Sequence, residues 1–189
     1  MRNLLVFLTL IFASISIKAQ EHLSFKGIPI EGSMTDFCQK LKAKGFIPIN
    51  QENNLSIFSG DFTGRKAMIG VAASADGKNV HGVVVLFDSC SEWKTLVNTY
   101  NHYKELYSQK YGSPTLSKED NPSRSDTNIS LMYELNQGTV VYGSIWEVTG
   151  GEIELSIDKS SEHLEGSVKI LYRDAQNVKA KIQNDLDEI

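Results

Sequence analysis

Apolar side chains recur every three or four residues along the stretch SCSEWKTLVNTYNHYKELYSQKYGSP, residues 89–114. This spacing places them on one side of an α-helix, while the polar residues between them face away. Ser89 and Glu92 have capping-box spacing, so the sequence predicts that the helix begins near Cys90. Gly112 and Pro114 predict its end. The apolar side is formed by Trp93, Leu96, Val97, Tyr100, Tyr103, Tyr107 and Tyr111.

Tyrosine dominates the apolar side of this helix. A phenol ring is a large apolar group whose hydroxyl needs water or a hydrogen-bond partner when it is buried. The pattern therefore favours a helix that lies across a sheet with its rings in the core, and it also suits a groove for a sugar or a peptide. The candidate binding residues of such a groove are Tyr100, Tyr103, Tyr107 and Trp146.

Two further helices are predicted, one before and one after the central part of the chain. Ser33 is in position to cap the first of them, and Gly45 predicts its end. Asp174 predicts the start of the second. Apolar residues with helical spacing are Met34, Phe37, Cys38 and Leu41 in the first helix, and Ala175, Val178, Ile182, Leu186 and Ile189 in the second.

Alternation of apolar and polar residues predicts β-strands in most of the remaining chain. After a short extended lead-in at residues 23–32, four strands are expected at about residues 46–50, 54–60, 66–74 and 80–88, joined as an antiparallel meander. The polar residues 115–128 predict a surface loop. A second group of strands is predicted from ISLMYEL, TVVYGSIWE, EIELSID and SVKILYR, which begin at residues 129, 139, 152 and 167.

The order of these elements predicts an α+β fold. Hairpins dominate and no strand–helix–strand alternation appears, so we expect two layers: an antiparallel sheet of seven or eight strands with helices packed on one face. No Pro-, Gly- or Ser-rich linker interrupts residues 20–189, which predicts a single domain. A helix followed by a meander occurs twice in the predicted order, and this suggests an internal duplication.

Residues 1–19 have the features of a secretory signal peptide: Arg2, an apolar run over residues 4–17, and Ala19 before the expected cleavage site. The sequence therefore predicts an exported protein, either periplasmic or extracellular. Removing Arg2 and Lys18 from the 19 basic residues leaves 17 against 23 acidic ones, a net charge of about −6. This balance disfavours nucleic acid as a partner. No later apolar run is long enough to span a bilayer, so no transmembrane segment is expected in the mature chain.

The two cysteines, Cys38 and Cys90, allow three interpretations. An exported protein with an even number of cysteines is a candidate for a disulfide between them. The second interpretation is a pair of free thiols. In the third, the dipole of the long helix activates Cys90 as a nucleophile. The base for that reaction would come from His22, His81, His102 or His163.

Acidic residues line one side of a predicted strand at Glu152, Glu154 and Asp158. Three carboxylates on one strand face could hold Ca²⁺ or act as an acid and a base, although such a row is more often the solvent-facing side of an antiparallel strand. No HExxH, GxSxG, P-loop, GxGxxG or paired CxxC motif is present. The sequence therefore predicts neither a metal site nor a cofactor.

The run FKGIPIEGSMTDFCQKLKAKGF, followed by W-K-x-L-x-x-x-Y and then by KYGSP, resembles a family of short exported proteins of Bacteroidota that have no assigned function. The resemblance implies an exported domain. It assigns no catalytic residues to this chain, because none are known for the family. The predicted order of elements is also distantly similar to the fold of the β-lactamase inhibitor protein and of outer-membrane assembly lipoproteins, whose members bind other proteins. This chain lacks the lipoprotein cysteine of the latter group.

These observations favour a non-catalytic binding module that presents either the open face of its sheet or a tyrosine-lined helix edge to an unknown protein or small ligand. The alternative is an extracytoplasmic hydrolase that uses Glu152, Glu154 or Asp158 as acid and base. A third hypothesis is a structural protein of the cell envelope. Only the enzyme requires a polar pocket with convergent titratable groups.

Overall fold

A computed structural model describes residues 21–52, 54–120, 126–162, 164–187 and 189. The predicted signal peptide therefore lies outside the described residues, as does His163. The strands are β1 (Ser24–Phe25), β2 (Ile28–Pro29), β3 (Ile47–Gln51), β4 (Leu55–Phe62), β5 (Arg65–Ala73), β6 (Val80–Phe87), β7 (Leu116–Asp120), β8 (Val141–Val148), β9 (Gly151–Lys159) and β10 (Gly166–Asp174). The helices are α1 (Met34–Ala43), α2 (Trp93–Tyr111), α3 (Asn128–Gln137) and α4 (Ala175–Asp187).

Eight of the strands form one antiparallel sheet in the order β3-β4-β5-β6-β10-β9-β8-β7. Strands β3–β6 make a first meander and strands β7–β10 a second one. The last strands of the two meanders, β6 and β10, pair with each other in the middle of the sheet. Strands β1 and β2 form a separate small hairpin. The predicted α+β class is therefore confirmed.

The core lies between one face of the sheet and the helices. Helix α1 contacts β5, whereas α2 and α3 contact β9 and β10. We call the sheet face beneath these three helices the inner face and the opposite one the open face. Alternate residues of each central strand point inward, beneath the three helices that cover this side of the sheet. Ile69, Val85, Leu155 and Ile170 are fully buried in this way.

Helix α2 buries the side that the spacing predicts. Trp93, Leu96, Tyr100, Tyr103 and Tyr107 are buried. The helix ends at Tyr111, and Gly112 follows it with a φ of 87°, a backbone conformation that favours glycine. Within the described ranges, no helix combines the length and apolar character needed to cross a membrane.

The start of α2 differs from the prediction. The helix begins at Trp93, and the residue before it, Glu92, makes no side-chain cap. Asn128 of α3 supplies the cap instead, because its Oδ1 accepts from the Trp93 N–H at 2.7 Å. The Ser89 hydroxyl donates to the Glu165 carboxylate. A tertiary contact therefore replaces the local capping box, and the sequence motif alone could not reveal it.

Cys90 consequently precedes the helix rather than lying in its first turn. Its backbone N–H donates to the Gly166 carbonyl at 2.9 Å, and its carbonyl accepts from the Gly166 N–H at 3.0 Å. These two bonds hold Cys90 as an isolated β-bridge next to β10. The predicted placement of its thiol at the positive end of the helix dipole is wrong.

The segment between α2 and β8 was also predicted wrongly. Residues 129–135, expected as a strand, lie in α3, which ends at Gly138 in the left-handed conformation. The strand next to β8 is instead β7, within the expected loop. All five residues of β7 are exposed at the edge of the sheet, so no apolar alternation marks this strand. Leu131, Met132 and Leu135 are buried on one side of α3.

Candidate functional site

A groove with a volume of about 980 Å³ opens between the second half of α2 and the β1–β2 hairpin. We call it the aromatic groove, because five aromatic side chains line it: Phe62, Tyr103, Tyr107, Tyr111 and Tyr172. Leu106 of α2 extends its apolar surface, and two lysines, Lys26 and Lys110, also line it. The long helix and the inner face of the sheet thus share one concave surface with the hairpin.

The β1–β2 hairpin forms one wall of the aromatic groove. Its two-residue turn has Lys26 at φ 52° and Gly27 at φ 77°, as a tight type I′ hairpin turn requires. Phe25 anchors the hairpin: its ring stacks on Phe62 at a centroid distance of 5.8 Å and meets the edge of Tyr172 at 5.3 Å. This anchoring places the Lys26 turn beside α2.

The floor of the groove presents aromatic rings whose hydroxyls are already bonded within the protein. The Tyr107 and Tyr172 hydroxyls bond to each other. The Tyr103 hydroxyl bonds to the Thr63 hydroxyl at 2.9 Å and donates to the Phe62 carbonyl at 3.2 Å. Burial raises the pKa of Tyr103, Tyr107 and Tyr172, so these phenols stay neutral at physiological pH. The floor is therefore uncharged and largely apolar.

Two cations of the groove have no carboxylate partner among the described residues. The Lys26 ammonium lies over the Phe62 ring, 5.6 Å from its centroid. The Lys110 ammonium lies over the Tyr111 ring at 4.8 Å. Such cation–π contacts are weaker than a desolvated ion pair, so both ammonium groups remain available to an anion.

His22 also lines the groove and lies between two carboxylates. Its Nδ1 lies 3.0 Å from an Asp174 carboxylate oxygen, and its Nε2 lies 3.4 Å from Glu31. The other Asp174 oxygen accepts from the Asn177 N–H at 2.9 Å, which caps α4 as predicted. Asp174 is fully buried and also accepts from the Leu23 N–H. His22 therefore fixes the N-terminal segment against the body of the protein.

Two of the four predicted binding residues line the groove and two do not. Tyr103 and Tyr107 form part of its floor. Trp146 is only 1% exposed, and its indole N–H donates to the Gly112 carbonyl at 3.0 Å. The Tyr100 hydroxyl bonds to Ser144 at 2.7 Å, and burial raises the pKa of this phenol to about 12. Tyr100 and Trp146 are therefore core residues, because their polar atoms find partners inside the protein.

The two cysteines are free thiols. Cys38 is buried in α1 and donates to the Met34 sulfur at 3.5 Å. Cys90 is half-buried, and its thiol donates to the Glu92 carbonyl at 3.7 Å rather than to a described histidine. Cys38 and Cys90 are therefore not bridged in the structure.

The acidic row of β9 lies on the open face of the sheet, away from the aromatic groove. Arg173 of β10 bonds to Glu152 and to Glu154, the latter at 2.5 Å. Lys169 pairs with Asp158. Within the described part of the chain, no three His, Cys, Asp or Glu side chains gather where they could hold a metal ion. The row is an ion-paired sheet surface.

The groove depends on two residues that the sequence analysis did not single out. Lys26 and Gly27 lie between Phe25 and Ile28, and an X-Gly pair between two apolar positions is a signal for a tight hairpin turn. The interpretation of residues 23–32 as an extended lead-in missed this turn. His22 and Asp174 meet only through the tertiary fold, so no local pattern could have linked them.

The fold and the groove define an α+β protein with an antiparallel sheet and an aromatic ligand-sized cleft. No protein family model, curated protein or solved structure matches this chain. The argument for a function therefore rests on the groove itself.

Proposed function

We propose that this protein is an exported, non-catalytic binding module whose aromatic groove holds a small ligand with an apolar body and an anionic head group. The observation that carries the proposal is the placement of Lys26 and Lys110 beside an uncharged aromatic floor, with no carboxylate partner for either lysine among the described residues. The signal-peptide pattern of residues 1–19 supports action in the periplasm or outside the cell.

The floor favours an apolar ligand body. Because the hydroxyls of Tyr103, Tyr107 and Tyr172 bond within the protein, they have little capacity left to recognise the hydroxyl groups of a sugar. The exposed surface of the floor is ring carbon, and burying it under an acyl chain or an aromatic ring would remove apolar area from water. A volume of about 980 Å³ is at the upper end of the range of small-molecule sites.

The two lysines favour an anionic head group. A carboxylate, sulfonate or phosphate near Lys26 or Lys110 would gain a charge-assisted hydrogen bond without breaking an existing ion pair. Two acidic residues, Glu21 and Glu31, also line the groove. Among the described residues neither forms an ion pair with Lys26 or Lys110, and Glu31 lies 3.4 Å from His22. The groove therefore combines an apolar floor with two lysine ammonium groups.

The hydrolase hypothesis has less support. Glu152, Glu154 and Asp158 are each bonded to a cation of β10, and they lie on the open face of the sheet. A general acid in this row would have to leave an ion pair that the structure already forms. In the groove, His22 has carboxylates at both ring nitrogens and is not placed as a free base.

Binding of cis-parinaric acid and of its uncharged methyl ester, measured by fluorescence titration, tests the proposal. We expect the acid to bind about tenfold more tightly than the ester, because two partly exposed ion pairs together contribute about that factor. The double substitution Lys26→Gln and Lys110→Gln should remove this preference. Leu106→Trp should weaken binding of both probes, because it fills the groove.

Lys94 and Lys179 provide the matched control, since both are exposed and neither lines the groove. Their double substitution to Gln leaves the same net charge as the groove variant and should leave the affinities unchanged. Equal affinities for the acid and the ester, or binding that Leu106→Trp does not alter, would contradict the proposal.

A further inference from the structure

The two lysines of the aromatic groove lie over different aromatic rings. The Lys26 ammonium lies 5.6 Å from the centroid of Phe62, and the Lys110 ammonium lies 4.8 Å from the centroid of Tyr111. The Phe62 ring in turn packs against Tyr103 of α2 at a centroid distance of 6.0 Å. The rings beneath the two cations therefore mark two different places along α2.

The helix sets the distance between these two places. Tyr111 follows Tyr103 by eight residues in α2. At a rise of about 1.5 Å per residue, their backbones are about 12 Å apart along the helix axis. A hydrogen bond between an ammonium group and an anion spans only about 3 Å. This difference favours a separate anionic group at each lysine over one group that is shared by both.

The surface between the two cations is apolar. Tyr107 lies between Tyr103 and Tyr111 on the same side of α2, and its ring is 6.0 Å from that of Tyr111 and 6.4 Å from that of Tyr172. The Tyr107 hydroxyl is bonded to the Tyr172 hydroxyl. Leu106, which is 37% exposed, adds an aliphatic side chain to the same surface. This part of the groove therefore suits a hydrocarbon body.

The other charged groups of the groove do not provide a further site for an anion. Glu21 and Glu31 would repel an anion. His22 has a carboxylate near each of its ring nitrogens, at 3.0 Å from Asp174 and at 3.4 Å from Glu31. Among the described residues that line the groove, the two lysines are thus the groups that favour an anion.

We propose that the ligand of the aromatic groove carries an anionic group at each end of an apolar body, as a long-chain dicarboxylate does. It would lie along α2 with one anionic group at Lys26 and the other at Lys110. This inference rests on the proposed binding function and adds the number and the placement of the charged groups.

The two-ended ligand meets each lysine in the position that the structure shows. Each ammonium group can bind an anion while it stays over its aromatic ring. A ligand with one anionic group can engage both lysines only if their flexible side chains move towards each other, which weakens the cation–π contacts. The second anionic group should therefore increase the affinity.

Displacement of cis-parinaric acid by dodecanedioic acid and by its monomethyl ester tests this inference. The two competitors have the same chain and differ by one charge. Because the ester is the more apolar compound, the hydrophobic contribution cannot favour the diacid. We expect the diacid to bind about threefold more tightly, the contribution of one partly exposed ion pair. Added salt should reduce this advantage.

Single substitutions show whether the advantage needs both cations. Lys26→Gln and Lys110→Gln, made separately, should each remove the advantage of the diacid over the monoester, because each leaves one end of the groove without a cation. Both positions are exposed, so circular dichroism should show folded proteins. Lys94→Gln and Lys179→Gln are the matched controls with the same change in charge, and they should leave the advantage unchanged.

The outcomes separate this inference from the proposed function. Equal affinities of the wild type for the diacid and the monoester, or an advantage that survives either groove substitution, would overturn the two-ended ligand. If cis-parinaric acid still bound more tightly than its methyl ester, the proposed function would stand and only this inference would be wrong. If cis-parinaric acid showed no such preference, the proposed function would fail and the two-ended ligand with it.

Discussion

The two meanders extend in opposite directions from the β6–β10 pair, and both bury an apolar inner face, yet their open faces differ. On the first meander the open face carries Val84, Met68 and Ile57. On the second meander it carries Glu152 and Glu154 with their ion partner Arg173. The inner faces are alike because both complete one core. The open faces are free of that constraint, so their side chains can differ.

The two edges of the sheet show a related difference. The edge strand β7 carries Lys118, Glu119 and Asp120, and charged side chains discourage pairing with another strand. The edge strand β3 has no charge, but it contains Pro48 and a register shift next to it. Proline and bulges also prevent strand addition. Both edges are therefore protected against the addition of another strand.

The largest expected effect tests the equivalence of the inner faces. Ile69 of the first meander and Leu155 of the second are both fully buried, so Ile69→Ala and Leu155→Ala should each lower the free energy of unfolding by about 3 kcal/mol. Urea denaturation measures both. Lys66→Ala, an exposed position on the same strand as Ile69, should change it by less than about 0.5 kcal/mol. A cost below about 1 kcal/mol at either buried site would show that the two halves of the core are not equivalent.

A smaller effect is expected from the charges of the second meander. Arg173→Met removes the cation between Glu152 and Glu154, and we expect the free energy of unfolding to fall by about 1 kcal/mol, because these groups are partly exposed and screened by solvent. Added salt should reduce the difference from the wild type. Lys118→Met, whose ion partner Asp120 is also at the exposed edge, should have little effect. If Arg173→Met were neutral at low salt, the ion pairs would not stabilise this half.

The smallest effect concerns His81 of the first meander. Burial, with a further contribution from the nearby Lys181 ammonium, lowers the pKa of His81 below its usual value of 6.5. As the pH falls below about 6.5, the unfolded chain therefore binds a proton before the folded protein does. The stability present above this pH should be lost as the pH falls through the folded pKa. His81→Asn should remove this part of the pH dependence, and Lys181→Gln should reduce it, in denaturation series at stepped pH; an unchanged series would refute this origin.

Most strands and the long helix could be predicted because their burial has a period. Strands such as β5 and β9 alternate buried and more exposed residues, and α2 buries one side. Apolar residues therefore recur in the sequence with the period of a strand or of a helix. The edge strand β7 has no buried side and therefore no pattern. In α3 the apolar run is short, and short apolar runs do not distinguish a helix from a strand.

The groove was only partly predictable. The spacing of α2 identified Tyr103 and Tyr107 as candidate groove residues. It could not show that Tyr100 is a core residue, because the hydroxyl of Tyr100 bonds to Ser144 of β8, which is distant in the sequence. The contribution of Lys26 depends on a turn that is packed against Phe62 and Tyr172 from distant strands. Contacts between residues so far apart in the chain leave no local signal. The sequence therefore indicated a tyrosine-rich side of a helix, whereas the tertiary structure determines which of its tyrosine rings line the groove.

Asp174 joins the two ends of the described chain in a way that matters for limited proteolysis. Its carboxylate starts α4 and also holds Leu23, 151 residues earlier in the chain. A protease that trims the N-terminal segment through Leu23 would leave this buried carboxylate with fewer donors, and the first turn of α4 would loosen. Unwinding of α4 would in turn release the N-terminal segment. The Asp174 side chain therefore stabilises both the N-terminal segment and the first turn of α4. Losing its hydrogen bond at one of these segments should make the other segment more susceptible to proteolysis.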